Sequence, residues 1–149
     1  MAQVNEEPIR RARRHILVVR GGTSLEHDVS LNSGAQVEAH LDRSRYHFHG
    51  ATITRSGEWV FSDEPDTYYD IAEALPRLRK MHIDCVFIAL HGPRGEDGRI
   101  QGLFDMLNIP YVGSGCAASA LAMDKVRSKM IAREVGIPLA PDVIFSQAA

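Results

Sequence analysis

Asp84-Cys85-Val86-Phe87-Ile88-Ala89-Leu90 runs directly into His91-Gly92-Pro93-Arg94-Gly95-Glu96-Asp97-Gly98. The first stretch is apolar at consecutive positions from Cys85 on. A strand built from it buries both faces, as the middle strands of a parallel sheet do. The second stretch is a loop dense in glycine. Upstream, Ile16-Leu17-Val18-Val19 repeats the arrangement, a short apolar strand closed by Gly21-Gly22. Downstream, Ile100, Leu103, Phe104 and Leu107 fall at helical spacing. Asp97 is placed to cap that helix and Asn108 to stop it. Residues 109–112 then read as a third short strand, closed by Gly113-Ser114-Gly115. Strand, crossover helix and parallel strand make the unit of an open, doubly wound α/β sheet. Its ligand sites lie outside the carboxyl ends of the strands. The loops at Gly21, His91 and Gly113 all fall there.

The remaining segments fit around this frame. Ser24 is placed to cap a helix to about Leu41, with Val29, Ser33, Val37 and Leu41 on one face. Gly34 inside it costs about 1 kcal/mol against alanine and so marks close packing or a ligand. Residues 47–54 read as a strand, turned back at Ser56-Gly57 into Glu58-Trp59-Val60-Phe61. Residues 63–67 are polar and contain Pro65, so they read as a loop. Ile71, Leu75 and Leu78 share a helical face that Pro76 must kink or restart. From Asp124 the pattern changes. Asp124 caps a helix through Val135, Gly136 and Pro138 end it, and a strand begins at Asp142. The chain divides accordingly into a disordered basic tail (1–14), one α/β domain (15–123) and the start of a second domain (124–149).

Composition narrows the function. The chain has 149 residues, a formal net charge of -2 and 44% hydrophobic residues. That is enough for a core, with no field to draw nucleic acid or anionic lipid. No segment has the roughly 20 apolar residues of a membrane span, and no apolar stretch after the N-terminal arginines makes a secretory signal. The expected location is the cytoplasm. Cys85 and Cys116 suggest neither zinc nor a disulfide framework, and Cys85 reads as a small buried hydrophobe.

Three segments carry the candidate chemistry. In Gly21-Gly22-Thr23-Ser24-Leu25-Glu26-His27-Asp28-Val29-Ser30, the glycines allow a tight turn beside a ligand. Glu26 repels a phosphate there and suits an ammonium. Taken alone, it suits equally the electrostatics of a helix's first turn, worth about 0.3–1 kcal/mol. His91 ends the buried strand on the same rim, or simply bonds nearby backbone. Glu96 suits a site role and, equally, that of a loop-bracing salt-bridge partner. Lys125 sits at a helix start, where the dipole disfavours it and an anionic phosphate compensates. As an exposed lysine it needs no partner.

Together, GGTSLEHDVSLNSG, ALHGPRGEDGRIQGLFDMLNIPYVGSG and ASALAMDKVRSKMIAREVGIPLAP resemble the D-alanine–D-alanine ligase family, in order and nearly without gaps. The likeness covers roughly residues 15–146. It implies a pre-ATP-grasp, Rossmann-like sheet followed by the first helix and strand of an ATP-grasp domain. It also implies a reaction. ATP phosphorylates a first D-alanine and the amine of a second attacks the acyl phosphate, for peptidoglycan precursor synthesis in a site closed to water. By the same likeness Glu26 holds the ammonium of the first D-alanine and Ser30 supports that site. His91 lies beside the substrate, and Lys125 reaches the ATP phosphates.

The family's second ATP-binding lysine, its arginine and its magnesium ligands have no counterpart in these residues. ATP and magnesium are therefore expected cofactors whose metal ligands lie elsewhere, and this polypeptide alone is expected to be inactive. Arg20 departs from the apolar residue usual before the two glycines, and must find solvent or a carboxylate such as Glu26 or Asp28. D-alanine and ATP are the expected partners, with a homodimer possible. The choice among D-alanine, D-lactate and D-serine as second substrate is not legible here. A competing reading is a stand-alone, non-catalytic binding module with the same fold. A Rossmann oxidoreductase is disfavoured, because G-x-G-x-x-G is missing and Glu26 stands in the first loop.

Overall fold

The structure is a computed structural model that describes residues 13–145. Its frame is one six-stranded sheet in the order β4-β3-β2-β1-β5-β6. β1 (Arg14–Gly21) lies between β2 (Tyr46–Ile53) and β5 (Cys85–Ile88), parallel to both. β6 (Tyr111–Val112) continues the parallel set beside β5. β3 (Trp59–Phe61) and β4 (Glu64–Tyr69) close the other side as antiparallel strands. In the apolar run of β5 and its exit, Val86, Ala89 and Leu90 are buried, whereas Cys85, Phe87 and Ile88 are only half-buried. Leu17 and Val19 pack on the face covered by α2 (Ile71–Lys80) and α3 (Arg99–Leu107), against Ala74, Leu78, Ile100 and Phe104. Arg20 points to the opposite face, where it meets α1 (His27–His40). Helices on both faces make the sheet doubly wound and mainly parallel.

The elements differ from expectation in instructive places. α1 begins at His27, and its N-cap is Glu26 without a side-chain cap bond. Ser24 is spent elsewhere, as described below. The face of α1 that meets the sheet is His27, Ser30 and Gly34, while Val29 is 56% exposed. A β-carbon on Gly34 would overlap the Arg20 stem. The helix thus lies too close to the strand for large side chains, and small or polar residues take the buried positions. The carboxylate that Arg20 finds is Glu38, at 3.3 Å, not Glu26 or Asp28.

Residues expected as a loop form β4. Its Pro65 is tolerated because β4 is the edge strand. Arg77 of α2 ties it down through Glu64 at 2.9 Å and Asp63 at 2.7 Å. α2 continues through Pro76, buries Ala74 and Leu78, and leaves Ile71 at its exposed start. A capping box between Asp70 and Glu73 opens it. Asp97 is not the N-cap of α3. That position is Gly98 in the left-handed region, with Asp97 accepting from the Arg99 N–H one step back. Asn108 stops α3 in the left-handed conformation, as expected.

α4 (Cys116–Met123) was not foreseen, since its alanine-rich run carries little periodicity. Asp124 caps α5 (Lys125–Glu134) through the Arg127 N–H. No strand forms at residues 142–145. The expected tail ends earlier than residue 14, because Arg14 already pairs with Tyr46 in β1. Residues 1–12 lie outside the described residues.

Candidate functional site

The site is built where the tips of β1, β5 and β6 stand side by side. β1 ends on Gly21 and Gly22, both with positive φ. A side chain on Gly21 would run into the Ile53 carbonyl, so only glycine lets the chain turn here. The turn is clamped from behind. The Gly22 N–H donates to Ile53 O at 2.7 Å, and the buried His27 ring bonds Gly22 O at 2.6 Å. Ser30 lies beneath the rim, fully buried. Its Oγ accepts from the Gly21 N–H at 2.8 Å and donates to Ala89 O at 2.8 Å. One hydroxyl therefore ties the β1 tip to the residue that follows β5, its single proton spent on the Ala89 carbonyl.

The second loop is joined to the first. Ser24 Oγ donates to the His91 carbonyl at 2.8 Å, and the Glu26 N–H donates back to Ser24 Oγ at 3.2 Å. Gly92 has φ +71, and a β-carbon there would overlap Glu26 Oε2. The Glu26 carboxylate thus rests on the one residue of the loop that leaves room for it. The half-buried His91 ring bonds Ser33 Oγ through Nε2 at 2.9 Å. Glu96 braces the loop through backbone, accepting from the Gly92 N–H at 2.7 Å, and not through a salt bridge among the described residues. Asp97 accepts from the Arg94 N–H at 2.9 Å, and Gln101 Nε2 donates to Gly95 O at 2.9 Å. These three side chains hold a glycine-rich loop rigid, which prepares its groups before any ligand arrives.

Glu26, Ser30 and His91 are therefore brought together. Glu26 and His91 stand on the rim and Ser30 underneath. His91 lines two clefts. One, of about 390 Å³, lies on the α2–α3 side. The other, of about 410 Å³, lies between the β5 and β6 tips and α4, with Gly113 and Ser114 in its wall. Glu26 lines neither and faces open solvent beside Gly92. Lys125 is exposed on the first turn of α5 and also lines neither. The structure does not join it to the Glu26–His91 pair. Ser24, His27 and Ser33 were missed as candidates. Their signal was present, because His27, Ser30 and Ser33 recur every three residues, a polar stripe facing the sheet. Burial pushes the Cys85 thiol up, although Cys85 is half-buried and not the buried hydrophobe expected. Among the described residues no three His, Cys, Asp or Glu side chains group so as to hold a metal ion. Among them, too, no helix is long and apolar enough to cross a membrane.

Comparison with known proteins identifies the family. The family described as "D-ala D-ala ligase N-terminus" matches residues 15–80 and 67–114. A D-alanine–D-alanine ligase of Macrococcus caseolyticus is 40% identical, over 90% of this chain and 42% of its own length. One from Sinorhizobium medicae is 42% identical, over 90% and 38%. The solved ligase of Coxiella burnetii superposes with a TM-score of 0.72 at 32% identity, over 87% of this chain and 43% of its own. The VanG D-Ala:D-Ser ligase of Enterococcus faecalis gives 0.73 at 31% identity, over 84% and 43%. The chain thus spans about two-fifths of the length of these enzymes. With both family segments falling on the strands and loops that build the rim, this chain belongs to the D-Ala-D-Ala ligase amino-terminal family.

Proposed function

We propose that the rim carrying Glu26 and His91 is one wall of a D-alanine pocket in an ATP-dependent ligation of two D-alanines. The observation that carries this reading is the Glu26 carboxylate, exposed against Gly92 at the strand tips and in no ion pair among the described residues. An exposed carboxylate with no cation of its own suits the ammonium of a small zwitterion. Ser30 acts as a positioning residue, setting the distance between the two strand tips. ATP, when bound, supplies the phosphoryl group that activates the carboxyl of the first D-alanine. Lys125 is the nucleotide contact in this reading, with its ammonium free to approach a phosphate. A cytoplasmic location fits a nucleotide-dependent reaction.

Isothermal titration of the purified chain with D-alanine and with L-alanine tests the proposal. D-alanine is expected to bind weakly and the L-enantiomer at least about tenfold more weakly. Glu26→Gln should remove the difference while leaving the melting temperature unchanged, since exposed positions shift stability by about 0.5 kcal/mol or less. Equal binding of both enantiomers, or full binding by the Gln variant, contradicts the reading.

A further inference from the structure

The cleft on the α2–α3 side shares His91 with the rim but has a chemistry of its own. Its floor is Trp59, Leu90, Ile100 and Leu103, and its mouth carries Arg94 and Arg99. At about 390 Å³ it lies in the range of small-molecule pockets, about 300–1,000 Å³. No carboxylate lines it. Arg99 is already paired with Asp97 at 3.3 Å. Arg94 makes no ion pair among the described residues, and its NH1 only approaches Thr23 Oγ1 at 3.5 Å.

The Arg94 backbone is the further clue. It is held at φ +70, a region that L-residues seldom adopt. The Asp97 carboxylate secures it through the Arg94 N–H. The strain sets where the guanidinium leaves the loop, above an apolar floor. Nearby, the start of α2 offers no rival anion site, because Asp70 already accepts from the Glu73 N–H. Gly22 and Gly57 also line it, beside Thr23 and Ile53.

We propose that this cleft binds a small amphipathic carboxylate, its aromatic or branched tail on the Trp59–Leu103 floor and its carboxylate on Arg94. The site is separate from the amino-acid rim: a D-alanine methyl would leave most of the floor uncovered, and the floor offers nothing to an ammonium. Burial of the tail supplies the affinity, and the guanidinium supplies the selection for an anion.

Trp59 is the only tryptophan, so its fluorescence reports the cleft directly. The 149-residue chain is titrated with 4-phenylbutanoate and with 4-phenylbutan-1-ol at fixed ionic strength. Both should change the Trp59 signal saturably, the acid at about five- to tenfold lower concentration. Arg94→Gln should bring the acid to the level of the alcohol. Ile71→Glu places a carboxylate at the mouth, where a helix start tolerates it. It should weaken the acid further and spare the alcohol. Saturating D-alanine should leave the acid's titration unchanged. Equal affinity of acid and alcohol, no saturable signal to millimolar concentration, or displacement by D-alanine overturns the proposal. Displacement would also bear on where D-alanine binds; the other outcomes leave the Glu26 reading untouched.

Discussion

Ser30 shows how a residue can matter to a site without facing it. Its hydroxyl satisfies the Gly21 N–H and the Ala89 carbonyl, both at buried strand tips. Replacing it by alanine leaves two buried backbone groups unpaired, at a cost of about 1–3 kcal/mol. Urea denaturation of Ser30→Ala should show a loss of that size. A variant as stable as the parent would mean that the tips are held by something else. Residue-level reading of the sequence succeeded where backbone chemistry forced one residue type. Gly21-Gly22 and the His91 loop were legible as tight turns at strand ends, because the positive φ at Gly21, Gly22 and Gly92 favours glycine. It was less complete for Ser33 and His27, because a polar side chain in a helix looks solvent-facing until the sheet is known to lie against it. Glu96 was legible only as one of two readings, and its bond to the Gly92 N–H decides for the brace.

Elements were legible to the extent that their burial is apolar. β1, β2, β5 and the β2–β3 turn follow from runs of branched and aromatic residues. β4 does not, because its stability comes from Arg77 lying over the Phe61 ring at 4.7 Å while bonding Glu64 and Asp63. The face of α1 was misassigned because close approach to β1 selects Ser30 and Gly34 over Val29. At the end of the sheet away from the rim, β1 and β2 bring three histidines together. His15 stacks on His49 with ring centres 5.1 Å apart and lies 4.8 Å from His47. Burial pushes the His47 and His49 pKa values down from 6.5, and the neighbouring His15 lowers both further. The unfolded chain therefore binds more protons than the folded one just below pH 6.5, and stability falls as pH drops through that window. Melting temperature is expected to decline between pH 7.5 and 5.5, above the range where carboxylates titrate, and His49→Asn should flatten the decline. A flat parental profile would show that the cluster carries no such penalty.

At the scale of the whole molecule, the sheet and its helices complete a core, whereas α5 has no buried residue and leaves Met130 and Ile131 exposed. Lys125 belongs to this outlying helix, which is why the sequence likeness placed it at the nucleotide while the structure leaves it apart from Glu26 and His91. With no cluster of three His, Cys, Asp or Glu side chains to hold a metal ion among the described residues, the purified chain given ATP, magnesium and D-alanine should release no phosphate above the protein-free blank. Sustained D-alanine-dependent release would contradict that expectation, because charge on the transferring phosphoryl group needs a counter-ion. The account as a whole stands on two strand tips meeting to receive one zwitterion. The most direct measurement is an amide NMR titration of the 149-residue chain with D-alanine. Shifts confined to Gly21–Gly22, Glu26 and His91–Gly92, absent with L-alanine, are the predicted result. Shifts elsewhere in the sheet, or the same shifts from either enantiomer, would contradict it.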